Sequence, residues 1–246
     1  MRIGIICYPT FGGSGVVATE LGIELSKRGH HVHFMAYKKP VRLDTNLVRI
    51  HFHEVHVPNY PLFHYQPYEL ALSSALVDMV RLHKIDLLHA HYAIPHAYAA
   101  FMAKQMLAEL QINIPIVTTL HGSDITLVGS HPFYKPAVTF SINNSDVVTS
   151  VSKSLKHDTK DIFTIKREID VVPNFIDIQK YERLRNTCSR EQLVKPDERL
   201  VTHVSNFRPV KRVQDVLSVF AKVNKKVKSR LILVGDGPER QSAEEY

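Results

Sequence analysis

A chain of 246 residues, 44% hydrophobic and 22% charged, has the make-up of an ordinary globular protein of one to two domains. That excludes a wholly disordered protein, and no apolar run approaches the ~20 residues of a membrane span. The net charge of +7 (31 Lys and Arg against 24 Asp and Glu) suits anionic partners, phosphorylated small molecules and carboxylates among them.

The first apolar run, Arg2 to Tyr8, is too short for a signal-peptide core and predicts a buried strand. Residues 13–29 predict a helix stopped by Gly29, and 31–37 and 47–57 predict strands. Pro67 opens a helix through His83, since proline is tolerated in a first turn. A strand at 85–91, a helix at 95–110 and a strand at 114–120 follow, then a strand at 145–152, a helix near 153–162 and a short strand within 169–177. Strands alternating with helices at this spacing imply parallel βαβ units and a doubly wound α/β sheet. Residues 173–198 read as a linker with one helical segment. A second unit opens with a strand at 199–205, a helix at 211–226 and a strand at 230–237, and the expectation is of a complete first domain, 1–172, and the beginning of a second, 199–246.

Cys7 and Cys188 cannot form a disulfide framework, which points to a reducing, cytoplasmic setting. The densest basic run, Lys222 to Arg230, sits at the end of an amphipathic helix, where cations complement the helix C-terminus, so no nucleic-acid partner is expected.

Four places carry chemistry. Phe11-Gly12-Gly13-Ser14-Gly15 joins a strand to a helix, a context for binding an anion on free backbone N–H groups. It lacks the Lys of a P-loop and the spacing of a dinucleotide fingerprint, and Val16 breaks the nucleophile-elbow pattern. His121-Gly122-Ser123-Asp124 follows a strand at the sheet mouth, where His121 can donate to a substrate hydroxyl and Ser123 or Asp124 can cap a helix. His89, His91, Tyr92 and His96 crowd another strand end. The pairs His89/His91 and His51/His53 share strand faces, but neither has a Cys or carboxylate in ligand spacing, so they read as packing or substrate contacts and no metal site is expected. Arg208, Lys211 and Arg212 cluster after a strand, a guanidinium fork and point charges suited to a diphosphate, and Gly235 and Gly237 punctuate the next strand end.

Together the FGGSG loop, HGSD, VVPNFID, SNFRPVKR and LILVGDGPER resemble the retaining glycosyltransferases of family 4, which have two Rossmann-like domains in the GT-B fold. CYPTFGGSGVVATELG, HEVHVPNYPLF, HAHYAIPHA and TTLHGSDIT are similar to the branch that transfers N-acetylglucosamine from UDP-N-acetylglucosamine to L-malate, the first step of bacillithiol biosynthesis. The resemblance implies retained α configuration, no metal and no other cofactor. It assigns Gly13, Ser14, Arg208, Lys211 and Gly235 to the donor and its diphosphate, His121 to catalysis at the donor sugar, and Tyr92 with Ser14 to the acceptor. The Arg208–Lys211 spacing of three is shorter than the family's common five, and the family's Glu-x7-Glu segment is absent, which implies a truncated chain with little or no activity of its own. Another acceptor (inositol phosphate or a lipid), or a non-catalytic sugar-nucleotide-binding fragment, are the alternative readings. No membrane partner is expected, and a homo-oligomer stays compatible with the sequence.

Overall fold

The computed structural model describes residues 1–10, 13–59, 61–62, 64–179 and 190–246. Phe11 and Gly12 of the glycine loop, Tyr60 and Phe63 of HEVHVPNYPLF, and 180–189 of the expected linker, with Cys188, lie outside the described residues. The chain divides into two compact units, Met1–Phe175 and Ile176–Tyr246.

The first unit is a seven-stranded parallel sheet of order β3-β2-β1-β4-β5-β6-β7. Its strands are β1 (Arg2–Ile6), β2 (His31–Ala36), β3 (Ile50–Glu54), β4 (Leu87–His91), β5 (Ile116–Leu120), β6 (Val147–Ser150) and β7 (Ile169–Val171). Helices α1 (Ser14–Lys27), α2 (Tyr68–His83), α3 (Tyr98–Glu109), α4 (Lys135–Asn143) and α5 (Lys153–Ile162) link them. The order reverses between β1 and β4, the switch point at which open α/β sheets place ligands.

Apolar residues divide between the two sheet faces because strand side chains alternate. Ile3, Ile5, Val32 and Phe34 pack with Ala18 of α1. Ile6, Met35, Leu88 and Ala90 pack against α2 and α3. Leu72, Leu76, Met79 and Val80 form the buried stripe of α2 at helical spacing. The approach of α1 to β2 depends on Gly22, where an added Cβ would lie 2.2 Å from the Phe34 ring. Phe34 is fully buried, so truncating it to Ala costs about 3–5 kcal/mol. A third cluster joins Leu120, Val148 and Ile169 to Val138 and Ile142 of α4 and Leu155 of α5. Ser152 starts α5 by accepting the Leu155 N–H at 3.1 Å.

The sequence reading omits α4. Its signals are Pro136 in the first turn and the i, i+3, i+4 triplet Val138, Ser141 and Ile142 on its buried side. The stretch is short, and residues 123–134 ahead of it carry no clear period. The expected strand 47–57 contracts to β3 because it lies at the sheet edge and pairs only with β2.

The second unit holds a short helix, α6 (Arg190–Leu193), then β8 (Arg199–Val204), α7 (Val213–Asn224), β9 (Ser229–Val234) and α8 (Arg240–Glu245). The two strands are parallel. Among its described residues the buried hydrophobic side chains are Val194, Phe207 and Val213. A groove of about 490 Å³ runs between α7 and the strands, lined by Val201, Val216, Val219, Phe220 and Leu231 with Lys211 and Arg212 at its edge. No helix among the described residues is long and apolar enough to cross a membrane.

Candidate functional site

In the first unit, the C-terminal ends of β1, β4 and β5 meet in an aromatic and imidazole cluster. The His121 ring neighbours His91 (centroids 5.1 Å apart) and Tyr92 (5.4 Å), inclined to them by 27° and 26°. Tyr92 sits at φ 91°, a conformation that L-residues rarely adopt and that marks strain at functional positions. Its hydroxyl hydrogen-bonds the Ser123 hydroxyl at 2.8 Å. The Tyr8 ring, just past β1, stands edge-on to Tyr92 at 5.3 Å and packs on His96 at 4.5 Å. Burial, then the neighbouring Tyr92, pushes the Tyr8 phenol up to about 12, so it stays protonated at neutral pH.

The imidazoles are connected. His91 Nδ1 and His121 Nε2 are 2.8 Å apart, and His96 Nδ1 lies 2.5 Å from the His91 carbonyl. The carbonyl can only accept, so His96 carries its proton on Nδ1. His91 Nε2 is buried without a partner. An orphaned buried N–H is rarer than an orphaned acceptor, so the His91 proton belongs on Nδ1, where it donates to His121 Nε2. That leaves the His121 proton on Nδ1, as a donor toward whatever occupies the strand-end opening. Burial holds His89, His96 and His121 down to about 4, and His91 well below the usual range, so all four are neutral at pH 7. A row of side chains extends the network along the sheet: His89 Nε2 bonds Thr119 Oγ1 at 2.7 Å, which bonds Thr149 Oγ1 at 2.7 Å.

Asp124 fixes this arrangement. Its Oδ1 accepts the backbone N–H groups of His121 (3.1 Å) and Gly122 (2.9 Å), and its Oδ2 accepts that of Ala93 (3.1 Å). The carboxylate therefore staples the turn after β5 to the turn after β4. Burial raises its pKa, and the backbone donors oppose that shift. Sequence reading offered Asp124 as a helix cap; the structure makes it the positioning group of the whole turn. Tyr8 was missed altogether, and its signal was an aromatic residue two positions beyond a strand end.

Gly13 precedes α1 at φ 62° and Ser14 is the helix's first residue, buried. An added Cβ on Gly15 would lie 2.4 Å from the Tyr8 carbonyl, so the helix start is fitted against the segment that carries Tyr8. Gly13, Ser14, Tyr92 and His121 thus belong to neighbouring strand ends of one sheet.

Arg208, Lys211 and Gly235 lie in the second unit, in the segments that follow β8 and β9. Arg208 precedes a single 3-10 turn, Pro209–Lys211, and both cations are exposed. Gly235, at φ 142°, packs so closely that a Cβ would lie 1.8 Å from the Ser205 carbonyl oxygen. A Cβ on Gly237 would lie 2.1 Å from the Asn206 carbonyl oxygen. Only glycine allows the turns after β8 and β9 to lie against each other. The Glu239 N–H to Phe207 carbonyl bond, 2.9 Å, closes the arrangement.

The sequence profile of Glycosyltransferase Family 4 matches residues 11–180. The chain belongs to glycosyltransferase family 4. It is 48% identical over 240 residues to the N-acetyl-alpha-D-glucosaminyl L-malate synthase of Bacillus anthracis, a match covering 97% of this chain and 62% of that protein. Among solved structures it resembles Anabaena Alr3699/HepE in complex with UDP and glucose, with a TM-score of 0.72 at 18% identity over 100% of this chain and 64% of that one. It also resembles the sucrose-phosphate synthase of Thermosynechococcus elongatus, with a TM-score of 0.72 at 16% identity over 98% of this chain and 63% of that one. At these identities the two structures speak for the fold, which is of the GT-B type. This family 4 chain spans a little over three-fifths of the length of the proteins it matches.

Proposed function

We propose that this chain serves a retaining transferase that moves N-acetylglucosamine from UDP-N-acetylglucosamine to the hydroxyl of L-malate, at the first step of bacillithiol biosynthesis. The observation that carries this reading is the 48% identity across nearly the whole chain to a relative whose name states that product. In this reading residues 1–172 form the acceptor side, 173–198 the hinge and 199–246 part of the donor-nucleotide side.

The chemistry fits the groups in place. As UDP departs, negative charge grows on the diphosphate, and Arg208 and Lys211, at the turn after β8, supply the cations that meet it. The His121 Nδ1–H donates to a hydroxyl of the donor sugar, held in that tautomer by His91. The N-terminus of α1 at Gly13 and Ser14 favours anionic groups, and Ser14 with Tyr92 contacts the malate side. Gly235 lets backbone lie close to the nucleotide. His121 is neutral and no other base is assigned, so the acceptor proton leaves with the departing phosphate. The reading needs no metal and places the reaction in the cytoplasm.

The test is UDP release from UDP-N-acetylglucosamine with L-malate, with inositol phosphate, or with neither. It is run on this chain and on a chimera that appends the part of the Bacillus anthracis relative that the match does not span. Malate-dependent release is expected in the chimera. Release that follows inositol phosphate and ignores malate would overturn the acceptor assignment.

A further inference from the structure

Toward the β3 edge of the sheet, three histidines from three elements converge. His33 of β2 and His53 of β3 are diagonal neighbours on one sheet face, since His33 pairs with His51 and Met35 with His53. His83, the last residue of α2, lies over them, its ring centroid 4.9 Å from that of His33 and 4.7 Å from that of His53. One ring nitrogen from each residue lies within 4.8 Å of the other two. Among the described residues this is the one group of three or more His, Cys, Asp or Glu side chains so arranged.

We propose that His33, His53 and His83 bind a divalent transition-metal ion of the zinc class. Three imidazoles suit zinc, copper, nickel and cobalt, and disfavour magnesium and calcium, which prefer oxygen. His33 Nδ1 and His53 Nε2 are 2.9 Å apart. Two nitrogens on one tetrahedral zinc, at about 2.0–2.1 Å from it, are about 3.3 Å apart. The His33–His53 pair reaches that by opening a few tenths of an ångström, and His83, within 4.8 Å of both, by a rotation of its ring at the helix end. Ordinary packing accounts for the His33–His53 hydrogen bond but leaves His83 unexplained. Its imidazole makes no hydrogen bond to any described residue, although its backbone carbonyl accepts from Arg2 at 3.1 Å. The proton that His33 Nδ1 and His53 Nε2 share moves to the other nitrogen of its ring when the ion enters, so that each imidazole offers one lone pair. His51 stacks on His33 at 4.4 Å, inclined by 26°, and is not one of the grouped ligands, which leaves the fourth position to water.

The ion would join the edge strand β3 to β2 and to the end of α2. In the sheet order β1 and β4 stand between β2 and β5, the strand that His121 follows, so this metal is separate from the His121 cluster. The pattern is invisible as a motif because the ligands are 20 and 30 residues apart and come from different elements.

The test is titration of chelator-treated chain with Co²⁺, read by visible absorption, and with Zn²⁺, read by calorimetry. One ion per chain is expected, with the absorption of a low-coordinate cobalt site. His83→Gln and His53→Gln should each weaken binding at least about tenfold. His157→Gln, at an exposed histidine beside Asp161, should leave it unchanged. Zn²⁺ should slow hydrogen exchange in 50–54 and in the last turn of α2, and His83→Gln should abolish that slowing. His83 is only half-buried at a helix end, so its variant tests the site without depending on the core. Binding that survives both ligand variants, or less than one ion per chain, would overturn the proposal.

Discussion

Acidification from pH 7 to pH 5 should destabilise the first unit steeply, because its buried imidazoles are neutral. His89 and His96 have folded pKa values lowered by burial to about 4, against 6.5 as the ordinary value. The unfolded chain therefore binds more protons than the folded one between those values. Stability is full above about 6.5 and is lost as pH falls toward 4. For each of these two imidazoles the loss between pH 7 and pH 5 is about 2 kcal/mol, so the pair contributes about 4 kcal/mol. His91 adds a loss of the same sign, as do His33 and His53. That sum is comparable to much of a domain's net stability. The assay is urea unfolding followed by far-ultraviolet circular dichroism, since the chain has no Trp, at pH 7, 6 and 5 with a chelator present. His89→Gln removes one titrating ring and retains an amide able to bond Thr119, so the loss between pH 7 and pH 5 should shrink by about 2 kcal/mol. A flat stability profile from pH 7 to pH 5, or the same loss in His89→Gln, would refute the reasoning.

Three further outcomes follow from the two clusters. Lys211→Ala in the chimera should weaken UDP binding by about 1.5–3 kcal/mol, the scale of a charged hydrogen bond, and calorimetry showing unchanged affinity would remove it from the diphosphate. His121→Ala should lower turnover more than UDP affinity, which separate kinetic and binding measurements distinguish from a general binding role. Asp124→Ala leaves the N–H groups of His121, Gly122 and Ala93 without their acceptor and should cost at least about 3 kcal/mol in urea unfolding, whereas a neutral effect would mean that the staple is dispensable.

The alternation of strands and helices was legible because each parallel strand must be nearly continuous in apolar residues and each crossover helix must show a buried stripe. The ends β4-Tyr92 and β5-His121 could likewise be placed at the sheet mouth from strand direction alone. Contacts between segments distant in sequence could not. Asp124 reads as a cap until Ala93, 31 residues earlier, is seen to share its carboxylate. His91 reads as one more strand histidine until His121 is found 2.8 Å away, just past the end of β5. The same blindness hid His33, His53 and His83: of the three, His53 alone was weighed, paired with His51, and periodicity says nothing about which helix end will lie over a strand. Helix α4 was missed for a different reason, since a nine-residue segment offers too few turns for a period to stand out.

Both units place their chemistry-bearing groups by the same local device. A parallel strand ends, the chain turns sharply, and a side chain or backbone group is left at the strand's C-terminal end. After β5 the turn is Gly122 at φ 115°, and after β9 it is Gly235 at φ 142°. After β4 it is Tyr92 at φ 91°, where a tyrosine bears the strain that a glycine would avoid. A glycine there would relax the backbone but would lose the ring that stacks on His121 and the hydroxyl that bonds Ser123. The strain is thus tied to the side chain: Tyr92 can be replaced at lower backbone cost, but only by giving up the face against which His121 is oriented. The His91 hydrogen bond sets the His121 tautomer and the Tyr92 ring packs against it, and together they turn an ordinary neutral imidazole into a directed hydrogen-bond donor.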